Sequence, residues 1–235
     1  MNESVAMNGI PVASIVGVLL ALGGTTWLAF LKHDKQGPIK QGRHLAVTWG
    51  GCLPLLALVL FWEQRPLSSI GLVWDNYAAW LIGALAGGAV LAMSTASMYF
   101  AKGKIPDGTL DGIGKLMATP LWFQVAVVLT AGITEEIMFR GYAIERLHEM
   151  SGSLWLAALI PLAVFTLAHL SMWGWSHLVG VLFGGALLTG LYLWQHDLIA
   201  CMIAHTVIDA LVLIMPLLLK RMEANAASGP AAGAA

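Results

Sequence analysis

The sequence predicts an all-α polytopic transmembrane helical bundle of about seven spans, and three observations carry that prediction. Hydrophobic residues make up 58% of the 235 and charged residues 11%, where soluble domains run near a quarter charged. The apolar residues fall in seven long runs with short polar segments between them, each run near the length a bilayer requires. The few ionisable groups inside those runs lie in the later half of the chain. The formal charge of −1 provides no basic face to neutralise phosphates and argues against a nucleic-acid partner.

The first span is Ile10–Leu31. The tail before it holds Glu3 and no Lys or Arg, whereas a signal peptide wants a basic start and a small-residue cleavage site. An uncleaved span is expected. Lys32, Lys35, Lys40 and Arg43 fill the next loop, and Leu45–Trp62 is the second span. Glu63 to Leu72 is read as a connecting loop.

Tyr77–Ala101 is the third span, and its Gly83, Gly87 and Gly88 are expected on packing faces, because small residues let helices approach closely in lipid. Lys102 to Pro120 reads as a polar, glycine-containing loop. The fourth helix, Leu121 to about Met150, is ~45 Å at helical rise and longer than the hydrocarbon is thick. Its second half, with Arg140, Glu145, Arg146, His148 and Glu149, is expected to protrude from the bilayer.

Ser151-Gly152-Ser153 is a turn, and Leu154–Met172 is the fifth span, with Pro161 as an expected kink. Leu178–Trp194 is the sixth span, Gln195-His196-Asp197 a tight connection and Leu198–Leu219 the seventh. Residues 1–222 form one integral-membrane domain on this reading. Residues 223–235, an Ala/Gly-rich tail, have too little apolar bulk to fold. Cys52 and Cys201 each sit inside an apolar run and read as packing residues.

The functional signal is the set of ionisable groups well within the apolar runs: Glu135, Glu136 and Arg140, then His169, then His205 and Asp209. Each costs roughly 2.5–3.5 kcal/mol at a helix centre on insertion scales. Glu136 and Arg140 are i,i+4 with the acid first, the favourable order for a helical ion pair, so both read as structural support. Glu135 lies ~100° round the helix and is left without that partner. An unpaired carboxylate at such depth is a candidate for catalysis.

An isolated histidine on an apolar helix is ordinarily a packing residue, but depth singles out His169. Glu135 lies as far before Gly152 as His169 lies after it, which sets both ~25 Å from the turn of an antiparallel pair. Phe165 sits one turn from His169, and His205 and Asp209 share a helix face. His205 reaches the same level if the Gly152 hairpin projects ~12 Å beyond the turn at His196 and Asp197. His177 and Asp197 fall at span edges and read as boundary residues.

Glu135-Glu136-x-x-x-Arg140, Phe165-x-x-x-His169 and His205-x-x-x-Asp209, in that order, resemble the three motifs of the CPBP family. These are the CAAX proteases and bacteriocin-processing (Abi) intramembrane glutamic endopeptidases, related to the type II CAAX prenyl protease. The resemblance covers a four-helix catalytic core, about residues 121–219. It implies a multi-pass protein of a bacterial or archaeal cytoplasmic membrane that hydrolyses a peptide bond of a membrane-associated peptide or protein. The family often has asparagine where Asp209 stands.

The roles it implies are Glu135 as general base on a water that His169 orients, and His205 as donor to the oxyanion. Asp209 would fix the His205 tautomer or donate as a neutral acid. No metal or other cofactor is implied, although His169, His205 and Glu135 offer the donor types of a Zn²⁺ site. Two other classes share the composition: a proton-coupled transporter, which would more often show internal repeats, and a non-proteolytic scaffold or regulator of the same fold. The expected partners are membrane lipid and a membrane-bound peptide.

Overall fold

The computed structural model describes residues 11–24, 39–100, 107–215 and 217–218. The tail at 223–235 and most of the first cytoplasmic-type loop lie outside the described residues. Every regular element among the described residues is helical. In chain order they are α1 (Val12–Gly24), α2 (Gln41–Trp62), α3 (Tyr77–Phe100), α4 (Asp107–Met117), α5 (Leu121–Ser151), α6 (Leu154–Ala168), α7 (Leu178–Gln195) and α8 (Leu198–Met215). Short 3₁₀ turns at Leu67–Ile70 and Trp175–His177 and a single helical turn at Leu170–Trp173 join them.

Five helices are long and apolar enough to cross a membrane: α2, α3, α5, the segment Trp175–Gln195 that contains α7, and α8. The other two expected spans are shorter apolar helices, α1 and α6. Helix α1 is described only to Gly24. Helix α6 stops at Ala168, short of the expected Met172, because His169 ends it. The His169 N–H turns to the Thr166 carbonyl at 3.2 Å while its ring takes the Phe165 carbonyl. Pro161 lies inside α6, which continues through it.

Lys102 to Pro120 is not wholly a loop. Asp107–Met117 forms α4, whose Ile113 and Leu116 are buried one turn apart. It packs on the segment after His169, where Gly112 faces the Trp173 ring with no room for a Cβ.

Close helix packing is set by glycine where backbones meet. Gly83 and Gly87 of α3 lie against the carbonyls of Ala200 and Ala204 on α8, whereas Gly88 faces nothing within 4 Å and has no packing role. Gly132 of α5 is pressed against Thr206. That approach draws α5 onto α8 one turn before Glu135 and beside His205.

The turns match their chemistry. Gly152 takes φ 67° and His196 φ 48°. Ser153 caps α6 through Leu156 N at 3.4 Å, and Asp197 caps α8 through Ala200 N at 2.9 Å. One hydrophobic cluster runs from Val18 and Leu55 through Phe139 and Phe165 to Cys201 and Ala204. Exposed Leu81, Leu85, Leu159, Val179 and Phe183 face outward, as a lipid-facing surface requires.

The second half of α5 departs from expectation. Glu145 meets the α7–α8 turn, with Tyr192 Oη donating to its Oε1 at 2.8 Å, so only the last two turns project beyond that level. Arg140 and Arg146 are not on the projection's surface; they are 1% and 0% exposed. Burial is possible because each guanidinium has a carboxylate. For Arg146 it is Glu63, with Nη2–Oε2 2.7 Å and Nε–Oε2 3.0 Å, and Tyr142 and Ser14 also donate to that carboxylate at 2.7 and 3.1 Å. Gly17 of α1 sits against Tyr142 where no Cβ fits. This cluster ties α1, the end of α2 and α5 together.

Candidate active site

Helix α5 changes its winding at the two glutamates. It is α-helical to Glu135 and then bonds i→i+5 from Glu136 to Ile144, a π-helical geometry that recurs at functional sites. All nine residues of that segment are buried. Glu135 sits at the junction.

The expected residues converge. Glu135 Oε2 lies 4.0 Å from Nε2 of His169 and 4.0 Å from Nε2 of His205. The side chains of Glu135 and His169 are 23% and 22% exposed and that of His205 7%. The shared depth inferred from distances to the turns is therefore present in the fold, and a projecting α5 is what allows it.

The two imidazoles are held differently. His169 Nδ1 lies 2.7 Å from the Phe165 carbonyl. A carbonyl only accepts, so Nδ1 carries a proton, which leaves Nε2 as the ring nitrogen that faces Glu135. His205 Nδ1 lies 2.7 Å from Glu136 Oε1. Its Nε2 faces both Glu135 and Asp209 Oδ2, the latter at 3.5 Å.

The expected pair of Glu136 and Arg140 is present at 2.7 Å, with both side chains buried. Arg140 also donates to the Gly185 carbonyl at 3.3 Å and lies 4.1 Å over the Phe165 ring. That ring further meets His169 at 4.7 Å and His205 at 6.2 Å between centroids. Phe165 is thus the apolar wall against which the guanidinium and both imidazoles rest.

Two features went unread in the sequence. Glu136 was assigned to Arg140 alone, yet its Oε1 also meets His205 Nδ1, while Asp209 meets Nε2 of the same ring. His177, read as a boundary residue, interacts electrostatically with His169 and Asp209 and stacks on Trp173 at 5.0 Å. Asp197, the other boundary residue, is the α8 cap.

Among the described residues no group of three His, Cys, Asp or Glu is disposed to hold a metal ion. A tetrahedral zinc shared by Glu135 and either histidine would bring nitrogen and oxygen to about 3.4 Å. The 4.0 Å separations are wider than that edge and have the length that one water hydrogen-bonded to each atom at ~2.8 Å would span.

Residues 117–211 match the family model described as type II CAAX prenyl endopeptidase Rce1-like. The match spans less than half of the chain. Its limits enclose Glu135, Glu136, Arg140, Phe165, His169, His205 and Asp209, and it begins at the end of α4. The comparisons with curated proteins and with solved structures return no match. The Rce1-like family is a family of proteases, and the five membrane-capable helices here support an integral membrane protein. The Glu63–Arg146 cluster belongs to α1, α2 and α5, so the matched region supplies only its arginine and tyrosine.

Proposed function

We propose that the protein is an intramembrane endopeptidase that hydrolyses a peptide bond of a membrane-associated peptide with a water activated by Glu135. The observation that carries this is the placement of Glu135 Oε2 4.0 Å from two imidazole nitrogens. A water there donates one hydrogen to Glu135 and the other to His169 Nε2, which the Phe165 carbonyl keeps as an acceptor. The water oxygen attacks the scissile carbonyl as its proton passes to Glu135. His205 donates from Nε2 to the oxyanion, and both of its nitrogens then carry protons, one held by Glu136. Collapse breaks the C–N bond, and Glu135 returns the proton to the leaving amine.

Asp209 shares the Nε2 proton until the oxyanion forms. The substrate class suggested by the family match is a CAAX-type prenylated tail.

The test is cleavage of prenylated and unprenylated membrane peptides by purified protein in detergent, with and without a strong chelator. Glu135→Gln should lower turnover ~10²–10⁴-fold, the range of a positioned general base. Chelation should leave the wild-type rate unchanged. Full activity in Glu135→Gln ends the reading, and activity lost to chelator and restored by Zn²⁺ replaces the free water with a metal-bound one.

A further inference from the structure

Glu136 has two partners on one oxygen. Its Oε1 receives Arg140 Nη1 at 2.7 Å and His205 Nδ1 at 2.7 Å, while Oε2, also buried, meets no hydrogen-bond partner among the described residues. A carboxylate serving an arginine alone gains most by the fork arrangement, with both oxygens engaged. Here the group is turned so that a single oxygen reaches arginine and histidine together.

The surroundings remove alternatives for all three. Side-chain exposures are 0% for Glu136, 1% for Arg140 and 7% for His205. Arg140 is fixed from the far side by the Phe165 face and the Gly185 carbonyl. A Cβ on Gly185 would lie 2.9 Å from Leu162 Cδ1 and 3.2 Å from the Phe165 ring, so α7 packs closely on that side. Water has no access by which to replace the carboxylate at Nδ1.

We infer that Glu136 is a positioning residue for the reaction: anchored by Arg140, it accepts the Nδ1 proton of the doubly protonated His205 ring and so aims Nε2–H at the reacting carbonyl. The inference rests on the endopeptidase reading for its kinetic consequence but not for its structural one. An imidazole without this acceptor gives up one proton, exchanges the other between its nitrogens and is free to rotate about its Cβ–Cγ bond, which breaks the alignment of Nε2–H with Glu135 and Asp209.

Removing Glu136 alone strands a buried guanidinium. Replacing a buried ion pair together by apolar side chains of similar volume is often neutral or stabilising, so the discriminating variant is the double one, Glu136→Met with Arg140→Met. The ¹⁵N spectrum of histidine-labelled protein, with His205 assigned by its loss in His205→Gln, reports the protonation of each ring nitrogen directly. Wild type should show His205 protonated at both nitrogens, and the folded double variant a neutral ring in a mixture of tautomers. In the cleavage assay the double variant should lose ~10²-fold in kcat, the scale of one oxyanion donor, with KM within about twofold. A merely structural Glu136 predicts the opposite: a folded double variant with wild-type kcat. That result overturns the inference, as does a His205 ring still protonated at both nitrogens in the double variant.

Should the double variant fail to accumulate, the folded fraction of Glu136→Gln decides. Its amide oxygen keeps an acceptor at Oε1 without the charge, so Nδ1 should stay protonated while kcat falls ~10-fold. An unaltered kcat there overturns the inference too. A wild type that cleaves nothing, with the protonation of His205 still dependent on Glu136, fails the endopeptidase reading and leaves the anchoring intact.

Discussion

Glu135 and Glu136 are neighbours in sequence with opposite surroundings: one carboxylate is partly exposed beside two imidazole nitrogens, the other fully buried on a guanidinium and an imidazole. Their substitutions should separate accordingly. Breaking a buried pair from one side costs ~3–5 kcal/mol because the other charge is left unpaired. Glu136→Gln and Arg140→Ala should therefore lower the yield of folded protein, read by size exclusion in detergent, while Glu135→Gln leaves it near wild type. Equal losses from both glutamates would remove the division. Asp209→Asn should be the mildest change in turnover, since the amide keeps a hydrogen-bonding group 3.5 Å from Nε2; a loss as large as that of His205→Ala would refute a supporting role. The Arg140 partnership was legible because i,i+4 spacing is local. The His205 bond was not, because 69 residues separate its partners and only the Gly132–Thr206 approach of α5 to α8 brings them together.

Helices were legible to the extent that apolar length defines them, which is why α2, α3, α5, α7 and α8 fall where the sequence puts spans. Helix α4 was missed because Gly108, Gly112 and Gly114 argue against a helix on propensity, and its packing on Trp173 overrides that. The π-helical segment has no sequence signature at all. Nor does the bond between Glu63 and Arg146, since each sits at an element end with 83 residues between them. Both side chains are nearly inaccessible, 3% and 0% exposed, unlike the neighbouring Arg65–Glu149 pair at 39% and 42%, which contributes little. Burial pushes the Glu63 carboxyl up, but hydrogen bonds from Arg146 and Tyr142, the Arg146 charge and the Ser14 hydroxyl outweigh it, and the group is held below its ordinary value of 4.5. A carboxylate depressed in the folded state stabilises above its unfolded pKa, and that stability is lost as pH falls through the folded value. Thermal unfolding in detergent from pH 7 down to 3 should show wild type losing stability below about pH 4.5, at the unfolded carboxyl value. Glu63→Gln should be less stable at pH 7 and flatter across that window. Parallel curves for the two proteins would remove Glu63 from the account.

For the whole molecule the remaining question is which way the bundle sits and where its site opens. Nine Lys and Arg fall after the first and third spans and at the C-terminal end, against Arg65, Arg140 and Arg146 on the other side. The structure strengthens the asymmetry, since Arg140 and Arg146 are buried in ion pairs and do not act as loop charges. The positive-inside rule then puts the N-terminus out and the Gly152 turn with it. Exposure within the site changes along the same axis. His205 and Glu136 are nearly closed off, while Asp209, one turn further from the Gly152 end, is 36% exposed in its side chain. His169 lies at the end of α6 remote from that turn, beside the Trp173–His177 stack and α4. Asp209 is thus the more exposed end of the site, and the positive-inside rule would set that end on the cytoplasmic side. Reporter fusions after Gly37 and after Gly108 should both read cytoplasmic, and a membrane-impermeant thiol reagent should label Asp209→Cys in inverted vesicles but not in right-side-out ones. Labelling only in right-side-out vesicles would reverse the opening, and an external signal at either fusion would reverse the bundle itself.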